Sequence, residues 1–100
     1  MNNFKSSTWK LIFKIYDEYF YVKTVMLSCK TTIQMKAARD FYWNVRDKWH
    51  RLFLYETDKY FWSSDRLRVT NRIQNQMREI EEDFNKLFDK HLERCKYVFD

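Results

Sequence analysis

The chain has 100 residues, carries a formal net charge of +5, is one-fifth aromatic and contains neither Gly nor Pro. That length makes a single domain, residues 1–100, with one core. The lack of Gly excludes phosphate-cradling loops, dinucleotide turns and nucleophile elbows, each of which needs a position where only Gly lets the backbone approach a ligand. The common nucleotide-binding enzymes go with them, and long helices joined by polar connections become the simplest fold.

Taken in chain order, Ser6, Ser7 and Thr8 offer side-chain oxygens for the start of a first helix. Lys10, Lys14, Asp17, Tyr21, Thr24 and Ser28 then recur at spacings of four and three, which makes one polar stripe on a helix apolar elsewhere. A competing reading gives an α+β fold, with an N-terminal β-hairpin over residues 9–27 packed on two helices. It rests on the alternation of Trp9, Leu11, Phe13 and Ile15 and on Lys23, which falls opposite the polar stripe. Asp17-Glu18 is a poor hairpin turn, because the favoured turns need positive φ, so the helix is the preferred reading.

Thr31 and Gln34 have capping-box spacing and open a second helix, whose apolar face is Ala38, Phe41, Tyr42, Val45, Trp49 and Leu52, with a break near residues 56–58. Ser63, Ser64 and Asp65 precede the last segment. There Thr70, Ile73, Met77, Ile80, Phe84, Leu87 and His91 follow the three-and-four spacing of a helix packed lengthwise on another. Carried to Val98, that helix would be about 50 Å long. The expected architecture is an all-α, elongated bundle of three helices, or four if the second breaks, built on a long antiparallel helical hairpin. The hairpin is long enough to leave part of the Ile73 to Leu87 seam, or of the aromatic surface near Phe53, Tyr60, Phe61 and Trp62, for a partner or a second copy.

No membrane span is expected, because Lys10, Lys14, Asp17, Glu18 and Lys23 interrupt the longest apolar stretch, and the order of a signal peptide is missing. A cytoplasmic protein follows, with Cys29 and Cys95 as reduced thiols. His91 and Cys95 lie four apart, but no third or fourth ligand has a finger-type spacing, so no metal and no cofactor are expected.

The aromatic content exceeds what a small helical core hides easily, and Trp43, Tyr55, Tyr60 and Trp62 are the expected exposed anchors for a protein partner. Basic residues are in surplus before residue 73 and not after it. Lys36, Arg39, Trp43, Arg46 and His50 share one helical stripe, and Arg66, Arg68 and Arg72 begin the next helix. Cations interleaved with a ring could neutralise phosphates and stack on bases, so nucleic acid is the alternative partner. In its two end residues, Arg46 to His50 resembles the Arg-to-His motif of helical ribonucleases of the HEPN group, with three residues between them and no other part of that pattern. The resemblance implies a metal-independent ribonuclease in which Asp47 orients His50, whereas the plain reading is a solvated pair.

The function these features predict is non-enzymatic. A small regulator or inhibitor, of the sort AT-rich phage and viral genomes encode, would dock an aromatic and basic helical surface on a larger protein. Homodimerisation and RNA or DNA binding are the other expectations.

Overall fold

The computed structural model describes residues 4–98. It contains three helices, α1 (Ser6–Leu27), α2 (Thr32–Asp58) and α3 (Arg66–Leu92), in a rod measuring 52 × 23 × 17 Å. Their register can be read from the contacts. Ser7 meets Glu56, Glu18 meets Lys48, and Tyr21 meets Phe41, so α1 and α2 are antiparallel. Arg46 with Glu81 and Tyr42 with Phe84 make α2 and α3 antiparallel as well. Consequently α1 and α3 run parallel, with Ile12 beside Gln76 and Tyr19 beside Asp83.

The hairpin alternative for residues 9–27 is overturned: that segment is helix throughout. All six members of the polar stripe are exposed, and the buried side is Leu11, Ile12, Ile15, Tyr19, Val22 and Met26. The strand-like alternation breaks at Phe13, whose ring points to solvent at 61% exposure. Lys23 is accommodated beside Asp83 and over the Tyr19 ring instead of in the core. No helix among the described residues is long and apolar enough to cross a membrane.

The second helix keeps the expected face and ends at Asp58, within the expected break near residues 56–58, and turns rather than a further helix follow it. At its start the Thr31 side chain accepts from the Gln34 amide at 3.2 Å, and the Gln34 side chain accepts from the Lys30 amide at 2.7 Å. This is the capping logic read from the sequence, with the return bond moved back one residue. The Ser6, Ser7, Thr8 group behaves differently. Lys5 occupies the N-cap position of α1 without a side-chain cap, and the Ser7 and Thr8 hydroxyls turn inward to Glu56. Nor does Asp65 cap α3, because its carboxylate pairs with Arg68.

The last helix is shorter than expected. It ends at Leu92, so its 27 residues span about 40 Å, the same as α2. After it the chain turns and lies beside the α1–α2 connection. There the Thr32 amide donates to the Lys96 carbonyl at 3.0 Å, the Lys96 amide donates to the Lys30 carbonyl at 2.9 Å, and the Thr32 hydroxyl is bonded to the Val98 backbone. These bonds satisfy an amide that the first turn of α2 cannot satisfy itself. With α2 and α3 equal in length, no seam is left over. Ile73, Met77, Ile80 and Phe84 are all buried, and the buried line continues through Val69 and Phe88 where Thr70 and Leu87 were expected.

The core is a ladder of rings at mid-rod. Tyr42 stacks on Phe84 with centroids 4.0 Å apart and planes 7° apart, and Trp49 meets Tyr42 edge-on. The Tyr42 hydroxyl is buried and has no hydrogen-bond partner among the described residues. Burial, with the nearby Glu81 charge, pushes it up to about 12. A buried hydroxyl without a partner costs about 1–3 kcal/mol of desolvation, so Tyr42→Phe should keep the stack and raise stability by about 1 kcal/mol. Thermal melts read by circular dichroism would show this as a rise of about 4–8 °C for a domain of this size.

Candidate functional site

One end of the rod gathers the start of α1, the last turn of α2, the connection 59–65 and the first turns of α3. A closed polar network holds these parts in place. The Glu56 carboxylate, 4% exposed, accepts from the Ser7 and Thr8 hydroxyls at 2.8 Å each and from Lys59 at 3.1 Å. Since the single Thr8 proton goes to Glu56, the Tyr60 hydroxyl must donate to Thr8 across 2.7 Å, and it accepts in turn from the Lys5 amide at 2.6 Å. Burial pushes the Glu56 carboxyl up, but the hydrogen bonds from Ser7, Thr8 and Lys59, with the Lys59 charge, outweigh it and leave it below the ordinary carboxylate value. Every partner in this network is satisfied internally, which is the signature of a structural lock and not of a reactive centre.

The lock determines which rings of the connection face outward. Residues 59–65 form successive tight turns, with Tyr60 N–H to Thr57, Phe61 N–H to Asp58 and Ser63 N–H to Tyr60 carbonyls at 3.0, 3.1 and 2.8 Å. In such turns neighbouring side chains splay apart, so drawing Tyr60 inward turns Phe61 and Trp62 outward. Tyr60 is only 2% exposed and is therefore not an exposed anchor; its hydroxyl is needed inside the lock. Trp62 is 92% exposed and braced edge-on by Phe61 at 4.6 Å. Tyr55, on the last turns of α2, is 70% exposed with the Lys59 ammonium 5.3 Å from its ring. Arg66 lies 5.0 Å over Phe61, and Leu54 and Leu67 add exposed aliphatic surface at the same end. Trp43 is exposed too, but midway along α2 with Arg46 over its ring, away from this end.

The basic residues read as a nucleic-acid stripe do not form one surface. Arg39 lies over Phe88 near the end of α3. Arg46 is bound to Glu81 at 3.0 Å, which neutralises the middle of the stripe, and His50 is exposed beside it. Lys36 shares a groove with Arg39, Phe88 and Tyr97. Arg66, Arg68 and Arg72 are at the opposite end, where Arg68 pairs with Asp65 and shares a groove with Arg72, Phe4 and Trp9. The two groups are separated by the sixteen positions from Arg72 to Phe88 on α3, about 24 Å of helix.

The ribonuclease arrangement does not assemble. Arg46 is occupied by Glu81 and Trp43, and no hydrogen bond joins Asp47 to His50 among the described residues. His91 bonds the Cys29 carbonyl at 2.7 Å, and Cys95 points at the same oxygen. Burial, and then Cys95, push the Cys29 thiol up, so it is not an activated nucleophile. No group of three or more His, Cys, Asp or Glu able to hold a metal ion occurs among the described residues.

The sequence reading missed Leu54 and Leu67, and it did not single out Phe61 as an anchor. The available signal was the change at Asp58 from helical spacing to a polar connection containing three consecutive rings, Tyr60, Phe61 and Trp62. No family model matches the chain, and neither a curated protein nor a solved structure is similar to it.

Two predictions follow from the lock. Tyr60→Phe should cost about 1 kcal/mol, whereas Trp62→Ala should change stability by no more than about 0.5 kcal/mol; urea unfolding of both variants measures the contrast. Because the Glu56 carboxyl is lower in the folded than in the unfolded chain, its contribution is complete above about pH 5 and is lost as pH falls through the folded value. Glu56→Gln should therefore be destabilised by about 2 kcal/mol at neutral pH. Its deficit against the parent should shrink in unfolding curves measured down to about pH 3.

Proposed function

We propose that this protein is a non-enzymatic binding protein, a regulator or inhibitor, that docks the aromatic and basic end of its rod on an acidic surface of a larger protein. The observation that carries this reading is Trp62, presented almost fully to solvent from a connection braced by the Glu56 lock. A large ring in water is tolerated at little benefit to a free monomer, and Trp, Tyr and Arg are the side chains that concentrate binding energy in interfaces. Holding the ring in place before contact lowers the ordering cost of association.

The chemistry of the neighbours suggests the kind of partner. Arg66 lies over Phe61, so aromatic contact and positive charge are offered together, while the Lys59 ammonium beside Tyr55 is held by Glu56. Asp58 is the nearby exposed acid, since Glu56 and Asp65 are engaged with Lys59 and Arg68. Leu54 and Leu67 favour protein over nucleic acid, because exposed aliphatic side chains have no stacking role on bases, whereas they fill apolar pockets.

The test is affinity capture from host lysate, with and without nuclease, using the parent protein and the Tyr55→Ala/Trp62→Ala double variant. A protein partner should be retained after nuclease and lost with the double variant, with affinity reduced by about a hundredfold or more if both rings are hot spots. Capture that disappears with nuclease, together with oligonucleotide binding that weakens steeply as salt rises, would instead support nucleic acid as the ligand.

A further inference from the structure

The first helix carries two apolar lines. One faces the core. The other consists of Trp9, Phe13, Tyr16, Phe20 and Leu27, at spacings of four, three, four and seven, which is the repeat of a helix that packs lengthwise on a neighbour. Only Trp9 of these is half-buried; Phe13 is 61% and Phe20 67% exposed, and Tyr16 and Leu27 are exposed as well. Trp9 still packs against the core, but Phe13, Tyr16, Phe20 and Leu27 take no part in it, because Leu11, Ile15, Tyr19, Val22 and Met26 close the contact with α2 and α3.

This outer line borders α3. Tyr16, Phe20 and Ile80 line a groove of about 450 Å³ between the two parallel helices, with Asp17, Lys23, Glu79 and Asp83 on its walls. An adjoining groove continues over Glu82 and Lys86. Asp83 is held by Tyr19 and Lys23, but Asp17, Glu79 and Glu82 form no ion pair among the described residues. Lys23 and Lys86 line the same two grooves, but Lys23 is taken up by Asp83. The face therefore combines an apolar line at coiled-coil spacing with an excess of acids, on a protein whose net charge is positive.

We infer that the α1–α3 face is a second docking surface, and that its occupant is a basic amphipathic helix of a partner protein, lying in the position of a fourth helix. The spacing of the rings matches the ridges of a helical occupant, and the stretch from Trp9 to Leu27 gives it a length of about 27 Å, or some 18–20 residues. Charge selects its chemistry: Lys or Arg beside its apolar line would meet Asp17, Glu79 and Glu82. A two-fold pairing with a second copy would instead bring together two surfaces with the same excess of acids, since an isologous contact joins a patch to its own copy. This surface does not include Tyr55 or Trp62, so it goes beyond the reading of the aromatic end and does not depend on it.

The probe is a labelled synthetic peptide of about 20 residues with Leu at the a and d positions and Lys on the flanks, compared with the same peptide carrying Glu in place of Lys. Fluorescence anisotropy measures binding, and amide shift changes locate it. The Lys peptide should bind and the Glu peptide should be at least about tenfold weaker. Phe20→Ala should weaken the Lys peptide by about tenfold, and the Glu79→Lys/Glu82→Lys variant should reverse the preference between peptides. Trp62→Ala should change neither, which separates this inference from the proposed role of the aromatic end. Phe20, Glu79 and Glu82 are exposed, so their variants should melt like the parent. The inference is overturned if the Lys peptide shows no saturable binding up to about 1 mM, if both peptides bind equally, or if the shifts map elsewhere. Self-association in sedimentation that Phe20→Ala abolishes would also overturn it, by making a second copy the occupant.

Discussion

A chain without glycine reverses direction most cheaply with its residues on the negative side of φ, and the connections of this protein reflect that constraint. No described residue has positive φ. The left-handed C-cap that usually ends a helix is closed to side chains bearing a Cβ at low cost, and all three helices here end instead on residues in the right-handed region, Ser28, Lys59 and Glu93. Each helix then tightens into bonds three residues apart before the chain leaves it, as in Cys29 to Met26 and Tyr60 to Thr57. Reversals of that kind take several residues and place side chains outside the bundle. The α2–α3 connection is the longest of them, and the outward rings Phe61 and Trp62 are its consequence.

The two ends of the rod solve the same problem with different chemistry. At one end a buried carboxylate collects hydroxyls from α1 and a lysine from the connection, which ties the chain start to the second reversal. At the other, the residues after α3 return to the α1–α2 connection and satisfy its open backbone groups, while His91 holds the Cys29 carbonyl. Between the ends the buried contact is apolar apart from Gln76 donating to the Ile12 carbonyl, and polar pairs flank it: Trp49 and Lys48 with Glu18, Arg46 with Glu81, and Tyr19 and Lys23 with Asp83. Glu18 illustrates the balance such positions need. Burial raises its carboxyl, the Lys48 and Trp49 bonds lower it by more, and it remains ionised beside its lysine.

Much of the fold was legible because helical spacing is a local property. The polar stripe Lys10 to Ser28, the apolar face Ala38 to Leu52 and the line Ile73 to Phe84 could be recognised by counting, and the cap at Thr31 by spacing alone. Where counting failed, a partner distant in the sequence had decided the outcome. Ser7 and Thr8 are good capping residues, yet Glu56, nearly fifty positions later, offered their hydroxyls a buried charge. Tyr60 sits beside two exposed rings and is one of the most buried side chains in the protein, because its hydroxyl completes that network. The basic stripe on α2 was correctly placed on one side of the helix, but Glu81 neutralised it in a way no single-helix view contains.

From composition and spacing alone, this sequence pointed to a helical bundle and gave most of its inner faces, because those depend on residues within a few positions of one another. The hairpin alternative for residues 9–27, the fourth-helix alternative and the end of α3 were decided by the tertiary structure. Which helix runs beside which, and therefore which of the twenty aromatic rings remain in water, was decided only when the three met. A helix of nearly uniform oiliness such as α1 has two apolar sides, and only the arrival of α2 and α3 on one of them left Phe13 and Phe20 on the other. Exposure is a relation between surfaces and not a property of a residue, so the candidate binding surfaces became visible only in the tertiary structure.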